Sequence, residues 1–279
     1  MKQREKERLK YGLLLFPLGI VAFLVLIVPI VSVIIGSLKE DGSSTYSLYN
    51  YMYILGSKFY KQSFMNSIKI SLISSILGII ISFQLAYSIS RLDSKIRNVV
   101  LLYSNMMSNF SGLPLAFALI VILGTNGAIT LILQKIGISE FNIYTQAGLI
   151  LAYTYFQIPL GTLLLYPALD ALNENWKEAC SLLGGTKKDF WLKIGLPILK
   201  SSIIGTTIIL FTNAIGAYAT VFGIMTSNYN VVPIRIGALI SGDVILKPNL
   251  ASALAIMLIM IISIVFFINE RFIQKKRYR

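Results

Sequence analysis

Residues 250–268 read LASALAIMLIMIISIVFFI, a run with no charge and only two serines among aliphatic and aromatic side chains. Such a segment has the length of a helix crossing the hydrocarbon core of a bilayer, which takes about 20 residues at 1.5 Å each. Five more runs of this kind precede it, at 12–37, 67–90, 99–123, 148–169 and 202–224. Lipid offers no partner to backbone amides, so runs this long must be helices. The expected fold class is all-α, a polytopic membrane bundle of six transmembrane helices.

Composition agrees. Of 279 residues, 56% are hydrophobic and 13% charged, where soluble domains carry about a quarter charged. The net charge of +13 would suggest nucleic acid in a soluble protein, but in a membrane chain it is first an orientation signal, and nucleic acid is not an expected partner. There is no His and one Cys, Cys180. A His/Cys metal site, a His proton relay and an intrachain disulfide are thereby excluded, and no cofactor is expected. The nearest approach to a phosphate-binding loop, Gly184-Gly185-Thr186-Lys187-Lys188, lacks the required spacing and has no strand before it. Any ATP consumed must be hydrolysed by another chain.

With a cytoplasmic N-terminus, the inside segments 1–11, 91–98, 170–201 and 269–279 hold 18 of the 25 bases, and the other seven (Lys39, Lys58, Lys61, Lys69, Lys135, Arg235 and Lys247) fall outside. This asymmetry predicts that both termini are cytoplasmic. The domains expected are a basic tail at 1–11, a transmembrane region at 12–268 and a second basic tail at 269–279. The leader with Lys2, Arg4, Lys6, Arg8 and Lys10 precedes an apolar stretch too long for a cleaved signal, so the first span reads as a retained anchor. The tails suit anionic lipid.

Within the spans the polar residues are neutral, among them Gln84, Asn105, Asn109, Gln157 and Asn213. No acid or base stands mid-span, which disfavours an ion-coupled carrier because a coupling ion needs a ligand that justifies burial. Pro17, Pro29, Pro114, Pro159 and Pro167 predict kinks, and 109–114 (NFSGLP) is the best candidate for a broken, cavity-lining segment. Neutral polar groups are solvated in a wet cavity, so Asn105, Asn109, Ser111, Asn213 and Tyr218 on the third and fifth spans are candidates for the pathway lining.

The loop at 170–201 reads as two short helices. Asn175 and Glu178 have capping-box spacing, and Ala179, Leu182 and Leu183 follow at i, i+3, i+4. Gly184-Gly185 predicts a left-handed stop. Thr186 and Asp189 then repeat the cap spacing and open a second helix with Phe190, Trp191 and Ile194, and Pro197 introduces the fifth span. A membrane-surface helix pair is the plain alternative.

Residues 177–197, KEACSLLGGTKKDFWLKIGLP, resemble the loop signature of binding-protein-dependent ABC importer permeases, E-A-A-x3-G-x9-I-x-L-P. Glu178, Ala179, Cys180, Gly184, Ile194, Leu196 and Pro197 occupy its positions across 178–197, Cys180 replacing the usual second Ala. Asn66-Ser67 also looks like the family's pattern. The resemblance implies a type I importer permease of the methionine and molybdate permease fold, without enzymatic activity of its own. Its implied partners are a cytoplasmic ABC ATPase dimer docked on the 170–201 loop, a second permease subunit (another copy or a different chain) and an extracytoplasmic substrate-binding protein.

Within that family the chain looks most like the polyamine, phosphonate and iron branch, through the stretch from Gly216-Ala217-Tyr218 to Ile240-Ser241-Gly242-Asp243. Spermidine or putrescine is the expected solute; phosphonate, iron(III), thiamine and sulfate stay open. Polyamines would favour acids at the outer mouth, where Glu40, Asp41, Glu140 and Asp243 are expected. Two readings of other classes also stay open: an ion-coupled carrier, and a membrane scaffold that holds a cytoplasmic enzyme without transport.

Overall fold

The computed structural model describes residues 16–17, 19–21, 23–43, 45–137, 142–173, 175–242 and 246–277. The 1–11 tail, Glu140 and Asp243 lie outside these, and the side chains of Ser227 and 272–279 are not described. In chain order the helices are α1 (Val28–Ser37), α2 (Tyr49–Gly56), α3 (Lys58–Ser90), α4 (Ser94–Ser108), α5 (Leu113–Leu123), α6 (Ala128–Lys135) and α7 (Gln146–Asp170). There follow α8 (Asn175–Leu182), α9 (Lys187–Phe190), α10 (Leu196–Ile215), α11 (Ala219–Met225), α12 (Val232–Ser241) and α13 (Pro248–Arg277). Among the described residues six helical stretches are long and apolar enough to cross a membrane: Gly19–Ser37, Lys58–Ser90, Leu113–Lys135, Gln146–Asp170, Lys187–Ile215 and Pro248–Arg271. The all-α bundle of six spans is what the apolar runs predicted.

Two spans differ from the sequence expectation, each at a break between two helices. The third was expected at 99–123. Instead α4 ends at Ser108, Gly112 takes φ 74°, and Pro114 sits in the first turn of α5, so the membrane-long stretch is Leu113–Lys135. A residue at positive φ followed by proline stops one helix and starts the next. The fifth was expected at 202–224, but α10 ends at Ile215 and α11 starts afresh at Ala219.

The chain forms two compact units, 1–61 with 235–261 and 62–234 with 262–279. In the first, Asp41 accepts from the backbone N–H of Asn249 (2.9 Å) and of Leu250 (3.2 Å), satisfying amides that the first turn of α13 leaves open. Asn50 donates to the Lys39 carbonyl at 2.7 Å, and Tyr51 and Ser37 share a hydroxyl contact at 2.8 Å, so the connection after α1 is held by side chains.

In the second unit, α3 turns a serine-rich stripe inward. Ser63, Ser67, Ser71, Ser74, Ser75 and Ser82 are all buried. Small residues let helices approach closely where lipid supplies no hydrophobic drive for association. Ser82 donates to the Ile158 carbonyl of α7 at 2.9 Å, and the buried Gln157 donates to Ser74 Oγ at 3.0 Å. Around this seam lie two apolar clusters. One is built on Leu115, Leu149, Tyr153, Phe156 and Val221. The other, on Ile79, Leu165, Leu169, Phe190, Leu199 and Leu210, extends under the 170–201 segment.

Candidate functional site: the 170–201 segment and the helix breaks

The 170–201 segment is two short helices joined by a glycine turn, as its spacing predicted. At the foot of α7, Asp170 pairs with Arg97 of α4 at 3.5 Å. The start of α8 departs from expectation: Asn175 is already helical, and the side-chain oxygen that meets a free amide there belongs to Asn173, which accepts from Asn175 N–H at 2.9 Å. The Asn175/Glu178 capping box is therefore corrected to an Asn173 cap, leaving the Glu178 carboxylate exposed.

The end of α8 is a Schellman stop. Gly185 N–H donates to the Cys180 carbonyl (2.8 Å), Gly184 N–H to the Ser181 carbonyl (3.0 Å), and Gly184 takes φ 79°. Gly185 is needed for space as well, because a Cβ there would lie 2.6 Å from Cys180 Sγ. Thr186 then makes the reciprocal capping box with Asp189: Thr186 N–H donates to the carboxylate (3.0 Å) and Asp189 N–H to the threonine hydroxyl (3.2 Å). Asp189 also pairs with Lys193 at 2.8 Å.

A π-helical turn, Trp191–Gly195, joins α9 to α10. Trp191 is its anchor: the indole stands edge-on to Phe83 (5.7 Å) and Tyr87 (5.2 Å) of α3 and to Phe190 (5.6 Å). Gly195 permits this, since a Cβ there would come within 2.7 Å of the indole. Sequence reasoning placed Trp191 on a second helix but did not find its partners. The signature residues divide by face. Cys180 and Ile194 pack on the apolar cluster beneath, whereas Glu178 and Ala179 are exposed, Leu196 is 39% exposed and Pro197 lies in the first turn of α10. Leu182, the last residue of the eight-residue α8, and Leu183 in the turn after it are 89% and 88% exposed and form an outward apolar patch.

The pathway candidates cluster at the two helix breaks. Asn105 and Asn109 are exposed near the end of α4, where Asn109 donates to the Asn105 carbonyl at 2.9 Å, and Ser111 is exposed just beyond. Asn213 and Tyr218 are exposed on either side of the break after α10. That break is fixed from α7 by the buried Tyr153, whose hydroxyl donates to the Ala217 carbonyl at 2.8 Å. Gly112 meets the second break directly, a Cβ there lying 3.4 Å from Ala219 Cβ. Asn66 and Ser67, singled out in the sequence, are structural: Asn66 donates to the Asn230 carbonyl (2.9 Å), and Ser67 Oγ accepts from Val232 N–H (2.9 Å).

Six membrane-long helical stretches, with two short helices between the fourth and the body of the fifth, define a polytopic membrane protein. Residues 74–278 match the family described as binding-protein-dependent transport system inner membrane component, and the chain belongs to that family, the permeases of type I ABC importers. It is 24% identical over 260 residues to the spermidine/putrescine transport system permease PotB of Haemophilus influenzae, covering 89% of this chain and 88% of that one. It is also 26% identical over 212 residues to the sulfoquinovosyl glycerol transport system permease SmoH of Agrobacterium fabrum, covering 71% and 70%. Among solved structures it is similar to a chain of a bacterial ABC transporter involved in import of the acidic polysaccharide alginate, with TM-score 0.77, 17% identity and coverage of 97% and 98%.

Proposed function

We propose that this permease works as one of two transmembrane subunits, with 170–201 and both termini cytoplasmic, and that α8 docks on a separate ATPase subunit that supplies the ATP hydrolysis. The observation that carries this reading is the patch of Leu182 and Leu183, nearly fully exposed at the end of a helix that is capped at both ends and rests on the apolar cluster through Cys180. A rigid pin transmits force, whereas a flexible loop would absorb it. The family description supports a substrate-binding protein as third partner. The solute we favour is a polyamine, supported by the PotB likeness along most of the chain. The outer acids support it less: Asp41 is engaged in capping α13, which leaves Glu40 as the other described member of the set.

The test is uptake into proteoliposomes that hold the permease, its ATPase and its binding protein. Labelled spermidine is expected to accumulate only with ATP inside. Accumulation driven by an ion gradient without ATP would overturn the importer reading, and ATP-driven uptake of another solute in place of spermidine would overturn the substrate alone. In a Cys180→Ser background, a cysteine at 276 is expected to react only from the cytoplasmic side.

Trp191 carries a further expectation. Each edge-to-face contact contributes about 0.5–1.5 kcal/mol, and two of them, to Phe83 and Tyr87, tie the loop to α3. Trp191→Ala is expected to lower uptake at least about tenfold (1.4 kcal/mol) while ATP hydrolysis continues. Trp191→Phe retains most uptake. Equal uptake by the alanine variant would show that the motion passes elsewhere.

A further inference from the structure

In the first unit, where α3 and α13 begin, lies a cavity of about 220 Å³. Tyr53, Phe59 and Tyr60 form one wall, Leu239 lies in another, and Arg235 and Lys247 bring two cations into it. The rings form one set: Tyr53 and Tyr60 lie edge-on at 6.1 Å, Phe59 and Tyr60 at 5.4 Å. The Arg235 guanidinium is held 5.1 Å above the Phe59 ring. Lys247 is positioned by its own backbone, whose N–H donates to the Leu239 carbonyl at 3.0 Å. Among the described residues no carboxylate lines the cavity.

We infer that this cavity binds the phosphate of an anionic phospholipid headgroup. The place fits, because tyrosines and lysines at the ends of spanning helices mark headgroup depth, and α3 starts at Lys58 beside these rings. The chemistry fits, because a guanidinium and an ammonium in a half-buried site make charge-assisted hydrogen bonds to phosphate oxygens. Among the described lining residues the charged side chains are both cations, which favours a net-negative headgroup over a zwitterionic one. Leu239 and Leu250 extend the cavity as an apolar wall for the glycerol and first acyl carbons. A polyamine would be repelled here, so the site is separate from substrate transport.

The experiment is native mass spectrometry of the full-length permease from micelles doped with equal amounts of phosphatidylglycerol and phosphatidylcholine. The expected result is one retained phosphatidylglycerol, preferred by at least about tenfold. The Arg235→Gln/Lys247→Gln double variant is expected to lose the preference with its circular dichroism unchanged, and Arg235→Lys/Lys247→Arg to keep it. Equal retention of the two lipids by the unmodified chain overturns the assignment whatever the variants do. Displacement of phosphatidylglycerol by millimolar inorganic phosphate would assign the site to free phosphate instead, and likewise overturns it.

Discussion

Gly184→Val is expected to abolish uptake while leaving the permease inserted, and Gly184→Asn to keep it. The reason lies in the backbone. Gly184 has φ 79° and nothing within 4 Å of a would-be Cβ, so a side chain meets no steric obstacle and the whole cost is conformational. That cost is about 1–2 kcal/mol for an ordinary residue at left-handed φ, greater for a β-branched one and smaller for Asn. An eight-residue helix has little stability of its own, so it depends on its stops and its packing. With the turn strained, α8 loses the Schellman bonds from Gly184 and Gly185, and the Leu182–Leu183 patch loses its fixed orientation. The spans lie outside the disturbance, so cysteine accessibility should be unchanged while the ATPase subunit no longer co-purifies. Glu178→Gln separates docking from helix stability, because the exposed Glu178 carboxylate is not the cap of α8. A hydrogen bond to a charged partner contributes about 1.5–3 kcal/mol, and a fall in uptake of about tenfold is expected. Normal uptake by both variants would remove 170–201 as the coupling element.

Gly161→Leu should prevent accumulation of folded permease altogether. At Gly161 of α7 a Cβ alone would lie 2.5 Å from Ser82 Oγ and 2.9 Å from Ser82 Cβ on α3, with Leu210 of α10 at 3.3 Å. Both near atoms belong to a short side chain that is fixed by its bond to the Ile158 carbonyl, so nothing flexible can yield. Overpacking ordinarily costs about 1–3 kcal/mol. Here three helices must separate, breaking the Gln157–Ser74 bond as well and leaving a buried carboxamide without its partner. Expression and thermal unfolding in detergent measure the effect. Gly161→Ala combined with Ser82→Gly is expected to recover much of the loss, since it removes both the hydroxyl and the Cβ that the new methyl would strike. Full stability of the leucine variant would refute the close approach of α3 and α7.

What the sequence by itself determined follows from local physics. Six apolar runs set six spans because lipid leaves the backbone only its own hydrogen bonds. The Gly112–Pro114 break, the left-handed Gly184 and the Thr186–Asp189 box were legible because each is an interaction among residues at most a few positions apart. Within that range, adjacent candidates still compete: Asn173 and Asn175 are both good N-caps, and the structure chose Asn173. The tertiary structure alone decided what depends on distant partners. The fifth span stops at Ile215 and not at 224 because the hydroxyl of Tyr153, 64 positions away, holds the Ala217 carbonyl. Asp41 reads in sequence as an acid for an outer mouth, yet it spends its charge on amides 208 and 209 residues later. The serines of α3 are scattered polar residues in the sequence and become a packing seam only when Gly161 and Gln157 of α7 lie against them. Short-range preferences are written where they act, whereas these assignments belong to pairs of residues that meet only once the helices have packed.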